Sequence, residues 1–165
     1  MGIESKCKPI QILLTDVDGV LTDGAITYDS ENRELKSFNV KDGYICSFLR
    51  SSGIKLGIIT GRKSEIVAKR AKELGFDYLY QGVKDKKAIL NEIMSDSQAT
   101  LDQIAYIGDD LNDLEILESV GLSASPNDAF DYVKCKVDYV CERSGGRGAF
   151  RELADLILTN KDEDT

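Results

Sequence analysis

Short apolar runs that each end on a polar, glycine-bearing cluster constrain this chain most. Ile10–Thr15 stops at Asp16-Val17-Asp18-Gly19, Ile54–Thr60 at Gly61-Arg62, and Ile104–Ile107 at Gly108-Asp109-Asp110. Runs of this length read as buried strands. Tyr78–Tyr80, Leu122–Ala124 and Val137–Val140 read as shorter ones. Helices are expected over Asp42–Ser51, Ser64–Leu74, Lys86–Met94, Leu111–Ser119 and Ala149–Leu158. Gly53, Gly75 and Gly121 follow three of them, and a glycine just past a helix is a stop signal. Ala25–Val40 carries the turn cluster Asp29-Ser30-Glu31-Asn32, flanked by Ile26, Tyr28, Leu35 and Phe38, and reads as a β-hairpin. Asn160–Thr165 reads as a frayed polar tail.

Strands alternating with helices predict an α/β fold, a mostly parallel sheet with helices on both faces. The length, 165 residues, is that of one domain, and no repeat, low-complexity block or linker divides it. Ligands of open α/β sheets bind beyond the carboxyl ends of the strands. Asp16 and Asp18, Thr60 and Gly61, and Asp109 and Asp110 all fall at such ends. The fold is therefore expected to gather them into one mouth.

Two carboxylates at the end of a buried strand need compensation, because aspartate is almost never buried unpaired. A divalent cation or phosphate chemistry supplies it. The residue inventory narrows the choice. The chain has no histidine, which removes Ser-His-Asp and Cys-His catalysis and every histidine general base. Cys7, Cys46, Cys135 and Cys141 form no CxxC pair and make a poor zinc site, so they are expected as reduced thiols in a reducing compartment. A formal net charge of −8 argues against nucleic acid as a partner. No apolar run reaches the length of a membrane span, and Met1–Pro9 lacks a secretory stretch, so cytoplasmic residence is expected.

What remains is carboxylate, lysine, hydroxyl and metal chemistry. Asp16, Asp18 and Asp109 offer hard oxygen ligands of the kind Mg²⁺ takes. One aspartate can accept a phosphoryl group while the other protonates the leaving alkoxide and then activates water. Thr60 can donate its hydroxyl to a phosphate, and the Gly61 N–H can approach one closely. A lysine is needed to offset the transferring charge, with Lys84, Lys86 and Lys87 as candidates and Asp113 placed to hold it.

Asp16-Val17-Asp18-Gly19-Val20-Leu21-Thr22-Asp23-Gly24, Thr60-Gly61-Arg62, Asp85-Lys86 and Gly108-Asp109-Asp110-Leu111-Asn112-Asp113 together resemble the phosphatases of the haloacid dehalogenase superfamily. Within it, Tyr80-Gln81-Gly82-Val83-Lys84-Asp85-Lys86 and Gly145-Gly146-Arg147-Gly148-Ala149-Phe150-Arg151-Glu152 resemble the group that hydrolyses 3-deoxy-D-manno-octulosonate 8-phosphate. The resemblance implies a Rossmann-like fold, Mg²⁺, a phosphorylated sugar acid as substrate, a homotetramer and a role in lipopolysaccharide sugar synthesis. It makes Asp16 the nucleophile, Asp18 the general acid/base, Thr60 a phosphate ligand and Lys86 the lysine of the third motif. It makes Asp109 the metal carboxylate, joined by Asp16 and the Asp18 backbone carbonyl, with Asp110 and Asp113 supporting the metal site. Gly61, Arg62, Arg70 and Arg147 become candidate substrate contacts.

The spacing of the matched motifs leaves room for the hairpin and one helix but no lid domain, so the chain looks like an uncapped member. The hairpin is expected to pack on other subunits. Two rival functions accompany the resemblance. One is a phosphatase for a nine-carbon acid, 2-keto-3-deoxynononate 9-phosphate, although that group tends to carry Glu where this chain has Arg62. The other is a non-catalytic oligomerisation module like those attached to sugar cytidylyltransferases.

Overall fold

A computed structural model describes residues 2–161 of the chain. After a short helix α1 (Ile3–Cys7) comes strand β1 (Ile12–Thr15), then an antiparallel hairpin of β2 (Thr27–Tyr28) and β3 (Glu34–Leu35). Helix α2 (Val40–Ser51), β4 (Lys55–Ile59), α3 (Glu65–Leu74), β5 (Tyr78–Tyr80) and α4 (Lys86–Ser97) follow. The chain continues through β6 (Ile104–Ile107), α5 (Leu114–Leu117), β7 (Leu122–Ser125), α6 (Asp131–Lys134), β8 (Tyr139–Val140) and α7 (Ala149–Lys161). Apart from the hairpin, the strands form one six-stranded sheet in the order β5-β4-β1-β6-β7-β8, and every neighbouring pair is parallel.

The alternation of side chains along a strand divides the core into two layers. Leu13, Leu56, Ile58, Ala105 and Ile107 face one way, against Cys7, Ile45, Leu49, Val67, Phe150 and Leu153 from α1, α2, α3 and α7. Ile12, Leu14, Ile59, Ile104 and Tyr106 face the other way, against Leu90, Ile93, Ile116, Leu117 and Val133 from α4, α5 and α6. Strands covered on both faces need continuous apolar sequence, which is why β1, β4 and β6 stand out in it.

The strand order also fixes where a ligand can sit. From β1 the chain moves outward through β4 to β5, then returns to the other side of β1 as β6 and proceeds to β7 and β8. The direction reverses between β1 and β6. A crevice opens at such a reversal, beyond the carboxyl ends of the strands.

Several elements differ from the expectations drawn from sequence. The first strand starts at Ile12, and Ile10 is buried just ahead of it. Only two residues on each side of the hairpin pair, and α2 begins at Val40, where Asn39 caps it by accepting the Lys41 N–H at 2.9 Å. The helix expected over Leu111–Ser119 is a 3-10 turn (Leu111–Asp113) followed by the single turn of α5. Helix α4 runs on to Ser97 and stops at Gln98, which adopts a left-handed conformation. Helix α7 extends to Lys161, so Asn160 and Lys161 are helical rather than frayed, and Asn160 is buried. The rest of the expected tail, residues 162–165, lies outside the described residues. Among the described residues no helix is long and apolar enough to cross a membrane.

Candidate active site

Asp16, Asp18, Gly24, Thr60, Gly61, Arg62, Asp109, Asp110 and Asn112 line one open cleft of about 260 Å³ at the carboxyl ends of β1, β4 and β6. Each strand delivers its residue through the sheet's own hydrogen bonds. The Asp16 N–H donates to the Ile107 carbonyl at 3.1 Å, and the Thr60 N–H to the Tyr80 carbonyl at 2.9 Å. Beyond Asp16 the chain winds tightly: the Val17 carbonyl accepts the N–H groups of Val20, Leu21 and Thr22. The Thr22 hydroxyl then accepts those of Gly19 and Gly24. Gly19 has a φ of +88°, and a Cβ there would stand 1.9 Å from the Asp109 carboxylate. Only glycine lets the loop and Asp109 come so close.

Beneath the cleft lies a buried charge cluster. Lys86, the first residue of α4, sends its Nζ to within 2.6 Å of Asp113 Oδ1, 3.0 Å of the Tyr106 hydroxyl and 3.2 Å of Asp16 Oδ2. Burial lowers the pKa of Lys86, but the carboxylates of Asp16 and Asp113 outweigh it and hold the lysine above its ordinary value. Asp16 is pushed up to about 7, first by burial and then by Asp113, while Lys86 pulls the other way. Asp109 is pushed up to about 8, again by burial first and then by Asp16, Asp113 and Asp110. One lysine is too little positive charge for these carboxylates, and a divalent cation would relieve them.

Carboxylate oxygens of Asp16, Asp109 and Asp113 lie within 4.8 Å of one another. The three are not equivalent. Asp113 Oδ1 accepts from Lys86 and Tyr106, and its Oδ2 accepts the N–H groups of Asp109 and Asp110 at 2.9 and 3.2 Å. With both oxygens engaged, Asp113 orients Lys86 and the Asp109 loop. Asp16 and Asp109 remain as hard oxygen donors facing each other. One or two carboxylates, completed by water and a substrate phosphate, suit Mg²⁺.

The other expected residues divide between the cleft and elsewhere. The Asp18 side chain is drawn away from the three-carboxylate cluster, with Oδ1 2.5 Å from Lys36 Nζ. Asp110 Oδ1 caps the 3-10 turn through the Leu111 N–H and accepts from the Tyr132 hydroxyl, both at 2.7 Å. Thr60 is largely buried in the cleft lining. Arg62 reaches Glu34 on the hairpin at 3.1 Å. Arg70 is not brought to the cleft. It lines a separate small pocket with Leu21, Asp42 and Phe150, its guanidinium 5.8 Å from the Phe38 ring centre. Arg147 is exposed on the glycine-rich loop and likewise lies outside the cleft lining.

Sequence reasoning missed Lys36, Glu34 and Tyr106. Lys36 bridges Asp18 and Glu34, at 2.5 and 3.0 Å, with its side chain almost wholly buried. The alternation Glu34, Lys36, Phe38 was the available signal, since it places three residues on one side of the hairpin arm. Tyr106 sits in an apolar run and looks like filling. Only its place one strand over from Leu14 reveals that its hydroxyl points toward the chemistry.

A haloacid dehalogenase-like hydrolase family model matches residues 44–121. The chain is 45% identical to the 3-deoxy-D-manno-octulosonate 8-phosphate phosphatase of Yersinia pestis over 154 residues, 93% of this chain and 82% of that protein. The crystal structure of that Yersinia pestis phosphatase superposes with a TM-score of 0.95 at 43% identity, covering 98% of this chain and 87% of that one. The Moraxella catarrhalis phosphatase of the same name, solved with magnesium, phosphate and KDO, also gives 0.95, at 42% identity over 97% of this chain and 92% of that one.

Proposed function

The chain belongs to the haloacid dehalogenase-like hydrolases, and from that premise we propose that it is a Mg²⁺-dependent phosphomonoesterase. Its substrate is 3-deoxy-D-manno-octulosonate 8-phosphate, which it splits into the sugar acid and inorganic phosphate. The observation that carries the reading is the pairing of Asp16 with Lys86 at 3.2 Å, directly below the open cleft and beside Asp109.

Asp16 is the nucleophile. A bond forms between its carboxylate oxygen and phosphorus as the ester oxygen–phosphorus bond breaks. Asp18 gives its proton to the departing sugar oxygen. In the second half-reaction Asp18 takes a proton from water, which attacks the aspartyl phosphate and releases phosphate. Lys86 offsets the charge on the equatorial oxygens, and the Thr60 hydroxyl and Gly61 N–H hold them in place. Mg²⁺ held by Asp16, Asp109 and the Asp18 backbone carbonyl, with Asp110 outside that set, supplies further charge neutralisation when bound. Arg62 lines the cleft as a substrate contact. Arg70 and Arg147 could reach substrate only with help from another subunit.

The proposed working unit is one catalytic domain over residues 1–165, assembled as a homotetramer. Support for assembly comes from exposed apolar side chains. Ile26, Tyr28 and Leu35 lie on the hairpin, and Val40, Tyr44 and Phe48 form a stripe at helical spacing on α2. Unpaired hairpin edges and apolar stripes of this kind invite partners. Four unbridged cysteines, three of them buried, support residence in the reducing cytoplasm.

The test is phosphate release from a panel of phosphorylated 2-keto-3-deoxy sugar acids, with Mg²⁺ and with chelator. The expected result is metal-dependent turnover, greatest with the eight-carbon ester. Preference for the nine-carbon ester would replace the substrate but keep the chemistry. No release from any ester would favour the non-catalytic module.

A further inference from the structure

Tyr106 has no part in the reading above, yet it is fully buried in β6 and touches two members of the charge cluster. Its hydroxyl lies 2.5 Å from Asp113 Oδ1 and 3.0 Å from Lys86 Nζ. A phenol has one proton to give, and a lysine ammonium has three and accepts none. The directions are therefore settled: Tyr106 donates to Asp113 and accepts from Lys86. Lys86 donates to Asp113 and Tyr106, at 2.6 and 3.0 Å, and its ammonium forms an ion pair with Asp16 Oδ2 at 3.2 Å.

The geometry points to Tyr106 as a positioning residue of the phosphatase, fixing the Lys86 ammonium beside Asp16 and the phosphoryl group it receives. Two legs of the tripod, Asp113 and Tyr106, belong to the fixed scaffold of β6 and the turn that follows it. The third and longest leg is the one that changes as Asp16 reacts. Without the Tyr106 oxygen, a buried N–H loses its partner, and the ammonium can turn toward Asp113 and away from phosphorus. Such preorganisation contributes mainly in the transition state, where charge on the equatorial oxygens is greatest. A packing role alone would be met by phenylalanine, which fills the same space against Leu14 and the α4 layer.

This inference rests on Lys86 acting on the phosphoryl group, and Tyr106→Phe tests it. The variant is compared with wild type, Lys86→Met and the double variant, using Mg²⁺ and a phosphomonoester that wild type hydrolyses. Thermal melts confirm that each is folded. Loss of a hydrogen bond to a charged group predicts a fall in kcat of at least about tenfold with KM little changed. The inhibition constant of orthovanadate, which mimics the five-coordinate state, should rise by a similar factor, while that of inorganic phosphate stays within about twofold. In the Lys86→Met background, Tyr106→Phe should cost nothing further, because the hydroxyl acts through the lysine.

Turnover within twofold of wild type overturns the inference. So does equal weakening of vanadate and phosphate, or a loss that simply adds to that of Lys86→Met. If Tyr106→Phe does not fold, Tyr106→Met, a flexible apolar filler, is read against the same outcomes. An inert wild type would overturn the phosphatase reading as well, whereas an active wild type with an unaffected variant removes only the role of Tyr106.

Discussion

At Gly19 the reach of Asp109 leaves no space for a side chain. The backbone is left-handed there, and a Cβ would overlap the Asp109 carboxylate. Gly19→Ala must move either the loop that carries Asp16 and Asp18 or the carboxylate opposite it. A displacement of about 1 Å at a reacting centre can cost on the order of a hundredfold in rate. The expected outcome is a fall of that order in kcat/KM with the melting temperature only a few degrees lower. Unchanged kinetics would show that the loop and Asp109 are not held in this register. Residues like these were legible because charge at the end of a buried strand is costly and therefore conspicuous. Asp16, Asp18, Thr60, Lys86 and Asp109 all declared themselves that way or through the motif resemblance. Tyr106 and Lys36 did not. Each acts through a hydrogen bond to a residue at least 18 positions away in sequence or at the far end of a turn, and no local pattern records such a contact. Arg70, which the resemblance made a candidate substrate contact, lies beside the Phe38 ring and outside the cleft lining of its own chain.

Asp42 joins two elements that frame the site. It lies in the first turn of α2 and accepts the Arg151 N–H at 2.9 Å, at the start of α7. Its second oxygen is buried without a partner. Burial raises its pKa to about 6 against the pull of the Arg151 and Gly148 backbone N–H groups and the Arg151 charge. The folded protein therefore keeps this proton up to about pH 6, whereas the unfolded chain releases it near the usual carboxylate value of about 3.9. Stability contributed at this site is greatest below that lower value and declines as pH rises through 6, by up to about 3 kcal/mol. Asp42→Asn keeps the acceptor for Arg151 and removes the charge. Urea unfolding should find the variant more stable than wild type at pH 8 and not at pH 4. The same difference at both pH values would contradict the assignment. Element by element, the long buried strands and amphipathic helices could be read from sequence. The brief helical elements could not: α1 and α6 are one turn each, and the 3-10 turn over Leu111–Asp113 forms because Asp110 and Asp113 cap it reciprocally. The glycine-rich stretch was visible, but not its purpose. Gly146 donates to the Val20 carbonyl at 2.8 Å, and a Cβ on Gly145 would meet the Gly19 carbonyl at 1.9 Å, so this loop buttresses the loop that follows Asp16.

At the scale of the fold, one sheet reversal gathers residues from three strand ends and one helix start into a cleft over which the described residues place no lid domain. The sequence implied that convergence through strand–helix alternation alone. It could not show that the hairpin would reach back over its own active site, tying Lys36 to Asp18 and Glu34 to Arg62. The outer face of that hairpin and the α2 stripe remain apolar and exposed, and they are the proposed contact with other copies. Sedimentation or light scattering should find a tetramer that persists at micromolar concentration. Tyr44→Glu, a charge placed in the middle of the stripe, should dissociate it, and a monomeric wild type with full turnover would refute the assembly. The central claim is that Asp16 itself carries the phosphoryl group. Acid quenching of the enzyme during turnover of a ³²P-labelled phosphomonoester, followed by peptide mapping, tests it most directly. The account predicts an acid-stable, hydroxylamine-sensitive label on the peptide containing Asp16, absent from Asp16→Asn. Full turnover by Asp16→Asn, or a label confined to another residue, would contradict it.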